Sequence, residues 1–134
     1  MQHARSDDPR RTREVWREGV DTLPLANATL GSRQLTVFAQ ECAPGMGAPL
    51  HVHVVEEVLQ VLDGQATVTV GDEQRACQTG DVVIIPAGVA HGFMNTATSP
   101  LHMLAILAAP IFEAQYLPGP DDHGPARDVR RWTP

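Results

Sequence analysis

The chain has 134 residues, 43% hydrophobic and 19% charged, the make-up of one globular domain with a single buried core. Its formal charge is −6, and all 10 basic residues are arginine. An acidic surface repels phosphate backbones, and a chain without lysine forms no Schiff base, so nucleic-acid binding and imine chemistry are set aside.

Residues 1–13, polar and arginine-rich, read as a flexible N-terminal tail, and 14–117 as the folded domain. Within 14–117 eleven acidic residues stand against Arg17, Arg33 and Arg75 alone. The first residues lack the apolar stretch of a signal peptide, and no run is long enough to cross a bilayer, so a cytoplasmic protein without membrane partners is expected. Cys42 and Cys77 are too few for a disulfide framework and are expected as free, buried thiols.

Val15–Val20 alternates weakly around Trp16, and Leu35–Glu41 alternates clearly, so both read as strands. Ala43–Pro49, with two prolines and two glycines, reads as a loop. Glu57–Leu62 is a strand, and Asp63-Gly64 a hairpin turn into Ala66–Val70. Gly71-Asp72 turns the chain into Glu73–Cys77, and Thr79-Gly80-Asp81 into the β-branched run Val82–Ile85, read as buried. Pro86-Ala87-Gly88 precedes His91–Asn95, and Leu101–Ala108 completes the series. Ile111–Leu117 is the one stretch with a hint of helical period, and 118–134, rich in proline and glycine, is a C-terminal arm with solvated Arg127, Arg130 and Arg131. Short strands with frequent turns predict an all-β sandwich or small barrel. Leu101–Ala108 is apolar on both faces apart from His102, so its outer face needs a cover, and a homodimer is expected.

Chemistry concentrates in Gly45–Gly64. Side chains two apart on a strand share a face, so His51 and His53 point together, and Glu57 rejoins them if the strand resumes after a short bend. Two imidazoles and a carboxylate are donors suited to a divalent transition metal. His91, just past the Pro86-Ala87-Gly88 turn, can project toward that pair from a neighbouring strand. Glu56, of opposite parity, is expected to face out, and His3, His102 and His123 are not expected as ligands. Phe38, Gln40, Met46, Phe93, Asn95 and Met103 are pocket candidates by placement, with core packing, or for Asn95 a turn role, as the competing reading.

Two spaced motifs resemble the cupin family. Gly45, His51, His53, Glu57 and Gly64 match its first motif, and Gly80, Pro86, Gly88, His91 and Asn95 its second. The resemblance implies a single-domain jelly-roll β-barrel of six to eight strands with one divalent metal (Fe, Mn, Ni, Co or Zn) on His51, His53, Glu57 and His91. Four donors leave about two positions open on an octahedral ion, as a catalytic metal requires.

Small cupins with this ligand set resemble quercetinase-like dioxygenases, so an oxygen-dependent enzyme acting on a small organic substrate is the first functional expectation. Only Phe38 and Phe93 of the six aromatics fall near the pocket by sequence, which argues for a small substrate over a flat flavonoid. The alternatives are a non-redox lyase, isomerase or decarboxylase, and a non-catalytic small-molecule-binding barrel. The non-redox reading needs an acid or base from Glu41, Glu56 or Tyr116 and, for an anionic substrate, a cavity arginine, for which Arg33 and Arg75 are poorly suited.

Overall fold

A computed structural model describes residues 1–119 and 124–134; His123 lies outside the described residues. The strands are β1 (Glu14–Arg17), β2 (Val20–Ala26), β3 (Thr36–Cys42), β4 (Gly47–Val52), β5 (Glu57–Asp63), β6 (Gln65–Val70), β7 (Glu73–Gln78), β8 (Val82–Ile85), β9 (His91–Asn95), β10 (Leu101–Leu107), β11 (Phe112–Tyr116) and β12 (Arg127–Arg131). They form two 6-stranded antiparallel sheets, ordered β1-β2-β3-β10-β5-β8 and β12-β11-β4-β9-β6-β7. This is the all-β jelly roll that the motifs implied. The strand count exceeds six to eight because β1 and β2 extend the first sheet and β11 and β12 the second.

The core lies between the sheets and follows the period-two patterning. Phe38, Gln40 and Cys42 of β3, Leu59 and Val61 of β5, and Met103, Ala105 and Leu107 of β10 all point inward and are buried. The alternate residues of β10, His102, Leu104 and Ile106, face outward and are half-buried.

Four local expectations are corrected. Asp63-Gly64 is no hairpin, because β5 pairs with β10 and β8 while β6 pairs with β7 and β9, so this turn carries the chain from one sheet to the other. Ala43–Pro49 is not wholly loop, because β4 begins at Gly47 and carries Pro49 across a register irregularity between Ala48 and His51. Val82–Ile85 is buried on one face only, because β8 ends its sheet and leaves Val82 and Ile84 exposed while Ile85 enters the core. The helical hint at Ile111–Leu117 gives way to β11, in which Phe112, Ala114 and Tyr116 share the inner face. Two strands went unread: β12, which lies within the 118–134 arm and pairs with β11, and β2, which carries Pro24 in its middle, accommodated by a register shift between Pro24 and Ala26.

Candidate metal centre

Three elements deliver His51, His53, Glu57 and His91. His51 lies one residue before the end of β4 and pairs directly with His91, the first residue of β9. The chain bends at Val54 and Val55, and Glu57 opens β5 in the opposite sheet, so the cluster spans both sheets. Close approach of β4 and β9 depends on two glycines. A Cβ on Gly47 would overlap the Phe93 carbonyl, and one on Gly92 would stand 2.6 Å from the Ala48 oxygen. Gly88 of the Pro86-Ala87-Gly88 turn donates its N–H to the His53 carbonyl at 2.8 Å, tying the two motifs together.

All four side chains are buried, and one ligand atom from each lies within 4.8 Å of every other. A backbone carbonyl fixes each imidazole: Nδ1 of His51 donates to Pro49 at 2.7 Å, that of His53 to Glu113 at 2.7 Å, and that of His91 to Val89 at 2.9 Å. A carbonyl only accepts, so the proton sits on Nδ1 and each Nε2 turns a lone pair toward the centre. Burial, with a further contribution from nearby His91, pulls the His51 pKa down to about 3, and burial lowers that of His53, so both are neutral near pH 7.

These residues fit a divalent cation. His53 Nε2 is buried with no hydrogen-bond partner, 3.6 Å from Glu57 Oε1. His91 Nε2 stands 2.7 Å from the same oxygen, although its lone pair and the carboxylate are both acceptors. Such an approach needs a proton or a cation between them, and three imidazole nitrogens with one carboxylate oxygen are a borderline metal's donors.

A cavity opens on the His51–Glu57 side of the cluster, with free space of about 20 Å³, little more than one water-sized group. Four sequence-named candidates line it: Phe38, Gln40, Phe93 and Met103. Two do not. Met46 packs beside Gly19, and Asn95 is occupied by the backbone, its Nδ2 donating to Cys42 and Ser99 carbonyls and its Oδ1 accepting from Ala97 N–H. Of the acid–base candidates only Tyr116 reaches the cavity, its ring stacked on His51 at 5.1 Å and 29°. Glu41 sits on the outward face of β3, and Glu56 is exposed.

Sequence reasoning missed Trp16, Arg17 and Phe112, which complete the wall. Five of the six aromatics therefore line the cavity, and so does an arginine, against both earlier expectations. Their arrival depends on the pairing of β1 with β2 and of β11 with β4, which no local pattern encodes.

Residues 38–107 match the family model described as Cupin domain. Auxin-binding protein 1 of Arabidopsis thaliana is 27% identical over 117 residues, covering 76% of this chain and 59% of that protein. The chain thus spans about three fifths of that relative's length. Polyketide cyclase RemF of Streptomyces resistomycificus superposes with a TM-score of 0.73 at 20% identity, over 91% of this chain and 89% of the other. Oxalate decarboxylase of Bacillus subtilis, a protein with Mn(II) centres, superposes with a TM-score of 0.73 at 24% identity, over 82% of this chain and 31% of the other. At such identities the superpositions speak to the fold. Because the matched span runs from β3 through β10 and carries all four clustered donors, the chain belongs to the cupin family, and to its metal-binding form.

Proposed function

We propose that this protein is a metal-dependent enzyme of dioxygenase type, acting on a small organic substrate beside an ion held by His51, His53, Glu57 and His91. The observation that carries the reading is the arrangement of three Nδ1-anchored imidazoles and Glu57 at the floor of a cavity walled by aromatic rings. When bound, the ion would supply Lewis acidity and, if redox-active, a site for dioxygen chemistry. The chain's own part is to keep His51 and His53 neutral, orient the donors, exclude bulk water, and present apolar rings to an unsaturated substrate. Fe, Mn, Ni, Co and Zn all suit the donor set.

One observation favours a second reading, a non-redox lyase, isomerase or decarboxylase: Arg17 lines the cavity and its Nη2 donates to the Tyr116 hydroxyl at 3.3 Å. A guanidinium beside a phenol suits an anionic substrate and proton transfer at an oxygen. Oxygen-electrode measurements on Fe(II)-loaded protein with small enols and diols separate the two. Substrate-dependent uptake supports the first; anaerobic turnover without uptake supports the second and refutes the first. Absence of both returns the protein to the non-catalytic binding barrels.

The unpaired thiols Cys42 and Cys77 support a reducing, cytoplasmic setting. No helix among the described residues is long and apolar enough to cross a membrane. The apolar outer face of the first sheet supports a homodimer.

A further inference from the structure

One wall of the cavity comes from outside the matched family span: Trp16 and Arg17 of β1, and Phe112 and Tyr116 of β11. Arg17 is the cation of the lining. Its Nη1 donates to the Gly47 carbonyl at 2.9 Å and its Nη2 to the Tyr116 hydroxyl at 3.3 Å, both neutral partners. It takes part in none of the ion pairs among the described residues. A guanidinium has five N–H donors, so this half-buried one keeps donors and an uncompensated charge.

Positive charge gathers around it. The Arg127 guanidinium lies 5.6 Å from the centroid of the Tyr116 ring, and that of Arg131 lies 4.2 Å from the centroid of Trp16. Glu14 answers Arg131 in part, at 3.7 Å. Three arginines thus converge on the side chains that wall the cavity, in a molecule whose formal charge is −6. In a narrow cleft with apolar walls, such charge draws in anions. Tyr116 joins this patch to the donor cluster, because the ring whose hydroxyl meets Arg17 also stacks on His51.

We propose that Arg17, with the Tyr116 hydroxyl, binds the carboxylate of a small anionic substrate whose remainder extends toward His51 and Glu57. The planar guanidinium fork matches a carboxylate, and the limited free space restricts the class to small acids. Only the direction of the substrate's remainder rests on the metal-enzyme reading; the carboxylate site stands without it.

Calorimetric titration of the full chain tests this, with formate and acetate against formamide and acetamide. Each is run on chelator-treated and on zinc-loaded protein, with metal content measured separately. The metal-free chain should bind acids at least tenfold more tightly than amides, and Arg17→Gln should abolish that preference without changing zinc uptake. Arg17→Lys, which keeps the charge and loses the fork, should retain part of it, and serves as the test if Arg17→Gln does not fold. Equal affinity for acid and amide, no acid binding to the metal-free chain, or an undiminished preference in the foldable Arg17 variant overturns the proposal. A chain that takes up no zinc yet shows the Arg17-dependent preference refutes the metal reading alone. Zinc uptake without any preference refutes the carboxylate site alone.

Discussion

Glu113 never faces the cavity with its side chain, yet its carbonyl oxygen decides what His53 can do. By accepting the Nδ1 proton at 2.7 Å it leaves Nε2 with a lone pair, buried and unpartnered. An unsatisfied buried polar atom costs about 1–3 kcal/mol, which a bound cation would relieve. Alanine at position 53 should therefore lower metal affinity by at least about 100-fold, the upper range for losing even an outer hydrogen bond to a ligand. Competition against a chromophoric zinc chelator measures this, and near-native affinity in His53→Ala would show that the nitrogen is no ligand. The imidazoles also set an acid limit on the metal-free fold. The folded-state pKa of His51, about 3, lies below its ordinary 6.5, so below pH 6.5 the unfolded chain takes up a proton that the folded chain refuses. Stability is then complete above pH 6.5 and is lost as pH falls toward 3, with His53 shifted in the same direction. Urea denaturation of chelator-treated protein at pH 7.5, 5.5 and 4.5 should give midpoints that fall in that order; a constant midpoint would mean that these histidines are not buried neutral. At this scale the four donors were legible because parity and turn spacing are local properties. Arg17 was not. It sits on a four-residue strand whose place over the cavity is set by its pairing with β2 and by the wrapping of the chain.

Strands β4 and β9 are the elements that make the cluster, and they show where patterning misleads. Pro49 and two glycines make Gly45–Pro49 resemble a loop, but here glycine serves a ladder: at Gly47 and Gly92 the backbones approach within distances that no side chain tolerates. Gly92→Ala should push β9 away from Ala48 and Pro49, separate His51 from His91, and cost about 1–3 kcal/mol as an overpacking change. Metal affinity should fall along with stability, whereas Gly119→Ala, at a position with no atom within 4 Å, should alter neither. Thermal melts and zinc competition on the two variants check both effects; a Gly92→Ala protein with native stability would show that the strands have slack. The other element-level corrections share one cause. Asp63-Gly64 has the chemistry of a hairpin and Val82–Ile85 that of a buried strand, but sheet membership is decided by long-range pairing, which places β5 and β6 in opposite sheets and β8 at an edge. Where pairing and pattern agree, as in β3, β9 and β10, the element bounds were legible to within a residue.

At the scale of the whole molecule, the outer face of the first sheet carries two rows rich in apolar side chains. Cross-strand register aligns Leu23, Ala39 and Leu104 in one row, and Val37, Ile106, Val58 and Ile84 in the next. At its edge Val82 is 53% and Ile84 65% exposed. Unpaired edge strands with exposed β-branched side chains invite pairing with another chain, and natural edges are usually blunted by charge or proline. Strand β8 has neither between Val82 and Ile85. A second copy of the same face is a complementary occupant, since a two-fold axis can set the apolar rows against each other while the charged row of Asp21, Glu41, His102 and Asp63, at one end of the strands, stays at the rim. A stable dimer needs about 800 Å² buried per partner, the size of patch that five adjacent strands can supply. Multi-angle light scattering at micromolar concentration should therefore give twice the 14.5 kDa chain mass. Ile84→Glu together with Val82→Glu should convert that species to monomer while leaving zinc affinity within about threefold, because both residues face away from the donor cluster. A wild-type protein that elutes and scatters as a monomer removes the dimer and leaves the outer face of the first sheet exposed to solvent.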